Sequence, residues 1–326
     1  MKRLLTYFVF FSFFSLAFSS EKTFAQREIT STIDEIVVTA QKREENLQDV
    51  PASVSAMDAA TLEKTFARDL LDVAGVSPNL IIDPILGNGT AAISIRGVQM
   101  NDVEKSFDPA VAVYQDGIYL ATATGALLNT WDAERIEVLR GPQGTMFGRN
   151  TIGGLVHVIR SKPTGELGGK INITGAEDSQ NDIKALINLP AILDGTLATK
   201  ITAMKLDGGD YFYNATRNED EGGTELEAWS FSALWNPTDN LQIQLTYDDI
   251  DDQTDVRPVS CFTQPGELFA VIGQPIATEC NGGSDLGHHR TVFQNTDQSA
   301  SVEVEALTLN IEYDINENNK IVLVYG

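Results

Sequence analysis

The apolar and polar positions of the chain fall into stretches with different periods. Leu4–Phe18 is apolar apart from Thr6, Ser12 and Ser15, and residues 35–40, EIVVTA, form a short β-prone run followed by the polar QKREENLQD. Asp58 is a fair N-cap, and the helix formers Ala59, Ala60, Leu62 and Glu63 predict a short helix through Arg68. The segment DLLDVAG predicts a second helix stopped at Gly75. Strand patterns follow at 91–98 (AAISIRGV), 111–120 (VAVYQDGIYL), 135–140 (RIEVLR) and 155–160 (LVHVIR), with Asp116-Gly117 as a hairpin turn signal. These elements predict a mixed α/β unit over residues 46–165.

From residue 166 the rhythm is strict alternation. AWSFSALW (228–235) puts Trp229, Phe231, Ala233 and Trp235 on one face; LQIQLTYD (241–248) and TLNIEYD (308–314) alternate in the same way. Segments of about 10 residues with this alternation and aromatics near their ends are the pattern of a membrane β-barrel, although any half-buried antiparallel strand alternates. Strands are expected near 168–176, 182–190, 196–207, 225–236, 241–250, 300–314 and 320–326. The links after the second, fourth and sixth are short (AILDG, PTDN, INENN), whereas those after the third and fifth run to 17 and 49 residues. Short turns on one rim and long loops on the other is an outer-membrane asymmetry; only EDSQN, after the first strand, is short where a long link would be allowed.

Composition narrows the class. With 46 Asp+Glu against 23 Lys+Arg the formal charge is −23, so nucleic acid is excluded as a partner, because phosphate neutralisation needs clustered Lys and Arg. The N-terminus has Lys2 and Arg3, the apolar run, then Thr23-Phe24-Ala25, the order of a secretory signal over residues 1–25. A membrane anchor is the alternative, but a helical span needs about 20 apolar residues. Cys261 and Cys280 would lie in an exported region where disulfides persist; pairing them would stabilise by about 3 kcal/mol, and two free thiols are the alternative. The length of 326 residues suggests two domains.

Candidate chemistry is sparse. GPQGTMFGRNTIGG (141–154) is glycine-rich, but Gly148 is followed by Arg149-Asn150 and a strand, not by the Lys-Ser/Thr and helix that hold phosphates. Glycines that let the chain turn between packed strands are the simpler reading. His288-His289 has no evident third ligand, and His157 alternates with Val156 and Val158 as a unit-surface or core residue. Asp248, Asp249, Asp251, Asp252 and Asp255 offer hard oxygen ligands, but lack EF-hand spacing and suit a solvated hairpin top. With no catalytic motif, neither an enzyme nor a cofactor or metal site is expected.

Taken in order, the signal, EIVVTA, LQDVPASVSAMDAATLEKTFARDLLDVAGVSPNL, ISIRGV, VAVYQDGIYL and RIEVLRGPQGTMFGRNTIGGLVHVIRSKP resemble the TonB-dependent outer-membrane receptors across residues 35–163. The resemblance implies an α+β plug (46–165) followed by part of an antiparallel transmembrane β-barrel (166–326), in the outer membrane of a Gram-negative bacterium. It assigns Glu35, Ile36, Val37, Val38, Thr39 and Ala40, within an N-terminal segment 26–45, to the TonB box. On its residues alone EIVVTA reads equally as an ordinary core strand, but β-branched residues also suit addition to another protein's sheet edge, and the polar run behind them suits a tether.

The implied partners are TonB with its inner-membrane energising complex, outer-membrane lipid, and a small ligand such as an iron chelate. Arg96, Glu137 and Arg140 would sit where plug charges face the barrel wall; ordinary surface charges on strand ends are the alternative. A barrel of about 22 strands needs a plug, and seven strands are far fewer, so residues 166–326 are expected to be the N-terminal portion of a larger wall. A passive porin or adhesin, and an exported soluble α/β binding protein or enzyme, are the competing classes.

Overall fold

The computed structural model describes residues 37–326 apart from 41, 44, 66, 68, 85–90, 100–107, 122–129, 257–289, 293–299 and 318. The expected signal segment, Glu35, Ile36, Cys261, Cys280 and the His288-His289 pair lie outside these residues. In chain order the elements are β1 (Val37–Val38), β2 (Glu45–Asn46), β3 (Val54–Asp58), α1 (Ala59–Lys64), α2 (Leu70–Ala74), β4 (Leu80–Pro84), β5 (Ala91–Ile95), β6 (Val111–Gln115), β7 (Ile118–Leu120), β8 (Ala133–Arg140), α3 (Gly144–Phe147) and β9 (Gly154–Arg160). They continue with β10 (Gly168–Gly175), β11 (Asn181–Ile192), β12 (Leu197–Gly208), β13 (Phe212–Asn214), β14 (Glu219–Glu221), β15 (Thr224–Thr238), β16 (Leu241–Asp252), β17 (Thr291–Val292), β18 (Val302–Asn316) and β19 (Asn319–Tyr325).

The first part is built on a five-stranded sheet of order β3-β8-β9-β6-β7. Only β6 and β9 in it run parallel. Both faces are covered, which is why VAVY in β6 is continuously apolar. Val111 and Val113 point into one cluster with Leu62, Leu70, Val73, Ile136, Val138, Val156 and Val158. Ala112 and Tyr114 point to the other, with Val38, Ala40, Val50, Leu139 and Leu155. The helices start where side-chain caps hold them: Asp58 accepts the Thr61 amide at 2.9 Å and Asp69 the Leu71 amide at 2.8 Å. Asp116 (φ 48°) and Gly117 (φ 87°) make the expected hairpin turn.

Local details depart from the sequence pattern. The first helix ends at Lys64 rather than Arg68, and β5 stops at Ile95 because Arg96 and Gly97 turn with positive φ. The glycine-rich link holds a single helical turn, α3. Its last glycine is there for close approach: a Cβ on Gly154 would sit 2.2 Å from the Leu139 carbonyl oxygen.

The second part is an all-antiparallel seven-stranded sheet, β10-β11-β12-β15-β16-β18-β19. Its alternation is the reverse of a soluble sandwich. Asp182, Lys184, Asn188, Lys200, Thr202, Ser232, Thr246 and Asp248 are buried, while Ile171, Ile183, Ile187, Trp229, Phe231, Leu245 and Leu307 are exposed. Register pairs align exposed and half-buried residues into rows such as Ile187-Ile201-Phe231-Tyr247-Leu307, and the Trp229 and Tyr247 rings lie 5.2 Å apart. Long links lie at one end of the strands, and their described residues form a small sheet with no counterpart in the sequence reading: β13 pairs antiparallel with β14 and parallel with β17.

Candidate functional site

Two sets of polar contacts organise the described residues. The first joins the α/β unit to the inner face of the seven-stranded sheet. Arg160, at the end of β9, donates through Nε to Asp116 Oδ2 at 2.5 Å and through Nη1 to Asp248 Oδ1 of β16 at 2.6 Å. Burial alone would lower the pKa of this guanidinium, but the two carboxylates outweigh it and hold it raised. The next residue, Ser161, accepts from Lys200 of β12 through both its hydroxyl and its carbonyl. The Lys200 ammonium also reaches both oxygens of Asp132, at 2.8 and 2.7 Å, and its side chain is only 2% exposed. Weaker contacts flank these: Lys162 donates to Gln242 at 2.9 Å, and Lys170 pairs with Glu63 at 3.1 Å and lies 4.3 Å from the Trp131 ring centroid.

The second set holds the N-terminal strand. β1 pairs with β2 over two residues only, Val37 with Asn46 and Val38 with Glu45. Val38 and Ala40 insert into the second apolar cluster and are 0% and 3% exposed. Between them Thr39 turns to Glu137, whose Oε1 accepts the Thr39 amide at 2.7 Å; the Thr39 hydroxyl lies 3.1 and 3.2 Å from the two carboxylate oxygens. Glu137 is completely buried, and Arg135 Nε completes its partners at 2.9 Å. Such a buried charged acceptor would be costly without donors.

The docked strand is close to balance. Burying Val38 contributes about 1.5–3 kcal/mol and the Ala40 methyl about 0.8, and a hydrogen bond to a charged acceptor adds about 1.5–3 kcal/mol. Fixing the backbone of residues 37–40 costs about 1–2 kcal/mol each. The hydrogen bonds to Glu137 are therefore large enough to decide whether the strand stays down.

Beside Glu137, directly opposite in register on β9, sits His157. Its Nε2 accepts the Gly117 amide at 3.0 Å, which puts the proton of the neutral ring on Nδ1. Burial pushes the pKa of this histidine down; Glu137 and Asp116 oppose the shift. Tyr114 packs edge-on against the same ring, with centroids 6.1 Å apart.

Of the residues singled out in the sequence, Arg96, Glu137 and Arg140 make contacts within the α/β unit. Arg96 donates to Ser53 Oγ at 3.0 Å and Arg140 to the Pro78 carbonyl at 3.5 Å. With Glu137 they find their partners, among the described residues, inside the α/β unit rather than on the wall strands. The reason is parity: Glu137 shares its sheet face with Leu139, and that face is covered by residues 37–40. Asp248 is not part of a solvated hairpin top, because its strand turns it inward onto Arg160. Among the described residues no group of three or more His, Cys, Asp or Glu could hold a metal ion. The sequence reading missed Arg160, Lys200, Asp116 and Asp132; for Lys200 the available signal was a charge in mid-strand on the face opposite the apolar row.

Comparison with known proteins agrees with this architecture. Residues 46–155 match the family described as TonB-dependent Receptor Plug Domain. The chain is 32% identical to the pesticin receptor of Yersinia pestis over 218 residues, covering 64% of this chain and 31% of that protein. It is 30% identical to the vitamin B12 transporter BtuB of Vibrio vulnificus over 156 residues, 46% of this chain and 24% of that one. Among solved structures, the ferric yersiniabactin uptake receptor FyuA of Yersinia pestis superposes with a TM-score of 0.65 at 20% identity, over 81% of this chain and 39% of that chain. The siderophore receptor PiuA of Acinetobacter baumannii gives 0.65 at 16% identity, over 89% and 38%. The chain thus spans well under half the length of the relatives it matches.

Proposed function

The chain belongs to the TonB-dependent receptor family of the Gram-negative outer membrane, and from that premise we propose that it serves energy-coupled import of a scarce small ligand such as a ferric siderophore. The observation that carries this reading is the reversed alternation of the seven-stranded sheet, apolar outward and polar inward, with its inner face bound to an α/β plug through Arg160 and Lys200. An outward face of Ile, Trp, Phe and Leu suits lipid; an inward face of Lys, Asp, Ser and Thr suits a plug that must be able to move.

In this reading residues 46–165 are the plug and 166–326 are wall strands of the barrel. Ligand binds among the long links and the plug's outer face, and no bond is made or broken. Glu35–Ala40 is the segment taken by TonB, whose own sheet edge accepts it as an added strand. The ligand class is favoured by relatives named for siderophores, ferric yersiniabactin among them, although a vitamin B12 transporter is also a relative.

Two measurements test the proposal. A cysteine at Val37 of the full-length receptor should crosslink to TonB, more strongly with ligand present; no product at any ligand level would favour a passive porin or adhesin. Deletion of the intact gene should abolish growth on one class of ferric chelate as sole iron source. Normal growth on every iron chelate would remove iron as the cargo.

A further inference from the structure

The plug sheet face under β1 is apolar except where Arg135 and Glu137 on β8 and His157 on β9 stand together. A completely buried carboxylate could have been an ion-pair residue for Arg135 alone, but it also takes the Thr39 amide and lies in reach of the Thr39 hydroxyl. We propose that Glu137 is a positioning residue for import: it latches Thr39 and so sets how often the strand 37–40 is free to be taken by another protein's sheet edge. The inference rests on the reading of Glu35–Ala40 as the segment that TonB takes.

Strand addition needs the backbone donors and acceptors of the added strand. Here the Thr39 amide is used by Glu137, the ladder of Val37 and Val38 is used by β2, and the Val38 side chain is fully inside. A partner can therefore bind only the undocked population, and its apparent dissociation constant is the intrinsic one divided by that population. Undocking leaves Glu137 hydrated and still beside Arg135, so the carboxylate loses little. Docking against a residue that cannot accept leaves the Thr39 amide buried and unpaired, which shifts the equilibrium by roughly tenfold to a hundredfold.

The test uses the full-length receptor in lipid nanodiscs, with native cysteines, Cys261 and Cys280 included, replaced by serine. A single cysteine at Val38 reports undocking through its rate of labelling by a soluble maleimide, and one at Val156, in the core of the plug sheet, reports opening of the whole plug. Glu137→Leu is expected to speed labelling at Val38 by roughly tenfold to a hundredfold with position 156 unchanged. Glu137→Gln, which keeps one acceptor oxygen, is expected to fall between, and Thr39→Pro, which removes the amide donor with Glu137 intact, to match Glu137→Leu. Unchanged labelling at Val38 in Glu137→Leu and Thr39→Pro, or equal acceleration at 156, would overturn the latch. Binding to the soluble domain of TonB is measured on the same variants without the Pro: faster labelling with tighter binding supports both readings. Faster labelling with no binding by any variant keeps the latch and removes TonB as the taker of this strand.

Discussion

Replacing Lys200 by Met removes a wall cation buried against the plug's Asp132 and Ser161, and the structure sets the size of the effect. The ammonium is held by both oxygens of Asp132 at 2.8 and 2.7 Å and by the Ser161 hydroxyl at 3.0 Å, with the Asp132 side chain 11% exposed. Breaking a buried ion pair from one side costs about 3–5 kcal/mol because the other charge is left uncompensated. Asp132 would keep the Ser161 hydroxyl at 2.6 Å, so the expectation is the lower end, about 3 kcal/mol. The assay is urea unfolding of the plug inside the folded full-length barrel, followed by a fluorophore on the plug while gel mobility confirms that the barrel stays closed. Lys200→Met, Asp132→Asn and the double variant form a cycle, and a coupling of at least about 1 kcal/mol is expected for residues in direct contact. If Lys200→Met moves plug stability by less than about 0.5 kcal/mol, the range of ordinary surface changes, or if the two single effects simply add, the pair does not hold plug to wall.

Other expectations follow from single positions. Gly154→Ala would force a Cβ to 2.2 Å from the Leu139 carbonyl oxygen and should lower plug stability by at least about 2 kcal/mol, read in the same urea titration. Because burial depresses His157, its neutral form stabilises the plug above the unfolded value of 6.5, and that contribution is lost as pH falls below it. The loss should approach about 1.4 kcal/mol per pH unit, and His157→Gln, which still offers Gly117 an acceptor, should flatten the profile below pH 6.5. Phe231→Arg, in the exposed row, should reduce insertion into lipid by about 2–4 kcal/mol, whereas a polar change at the inward Ser232 should leave insertion intact; equal effects at both would contradict the assignment of faces.

Much of the wall was legible because its rule is local. Trp229, Phe231, Ala233 and Trp235 recur every second residue, and the pleat alone puts them on one face. The caps Asp58 and Asp69 and the turn Asp116-Gly117 act within a few residues of themselves, so they too could be read. The contacts of the candidate site are of another kind. Thr39 meets a carboxylate 98 positions away, Lys200 one 68 away, and Arg160 one 88 away. Nothing in the neighbourhood of Glu137 distinguishes a strand-end charge from a buried acceptor; the distinction appears only once the parity of β8 is combined with what covers that face. The β13–β17 pairing was illegible for the same reason, since short parallel partners that lie in two different long links, with β14, β15 and β16 between them, carry no shared local pattern.

Arg160 and Ser161 are consecutive residues, and each meets a charged wall side chain, Asp248 and Lys200 respectively. The plug is thus moored where its chain passes into the wall, and β1 is the first of its described elements. Tension applied at residue 37 reaches that mooring last. Two β1–β2 register pairs and the Thr39 contacts to Glu137 carry it first, then the five pairs between β8 and β3, an edge strand of the plug sheet. If the chain serves import as proposed, a plug held in this way would yield in sequence from β1, and the extent of that unravelling would set the passage, with the mooring at Arg160 and Ser161 as the point from which the plug can refold.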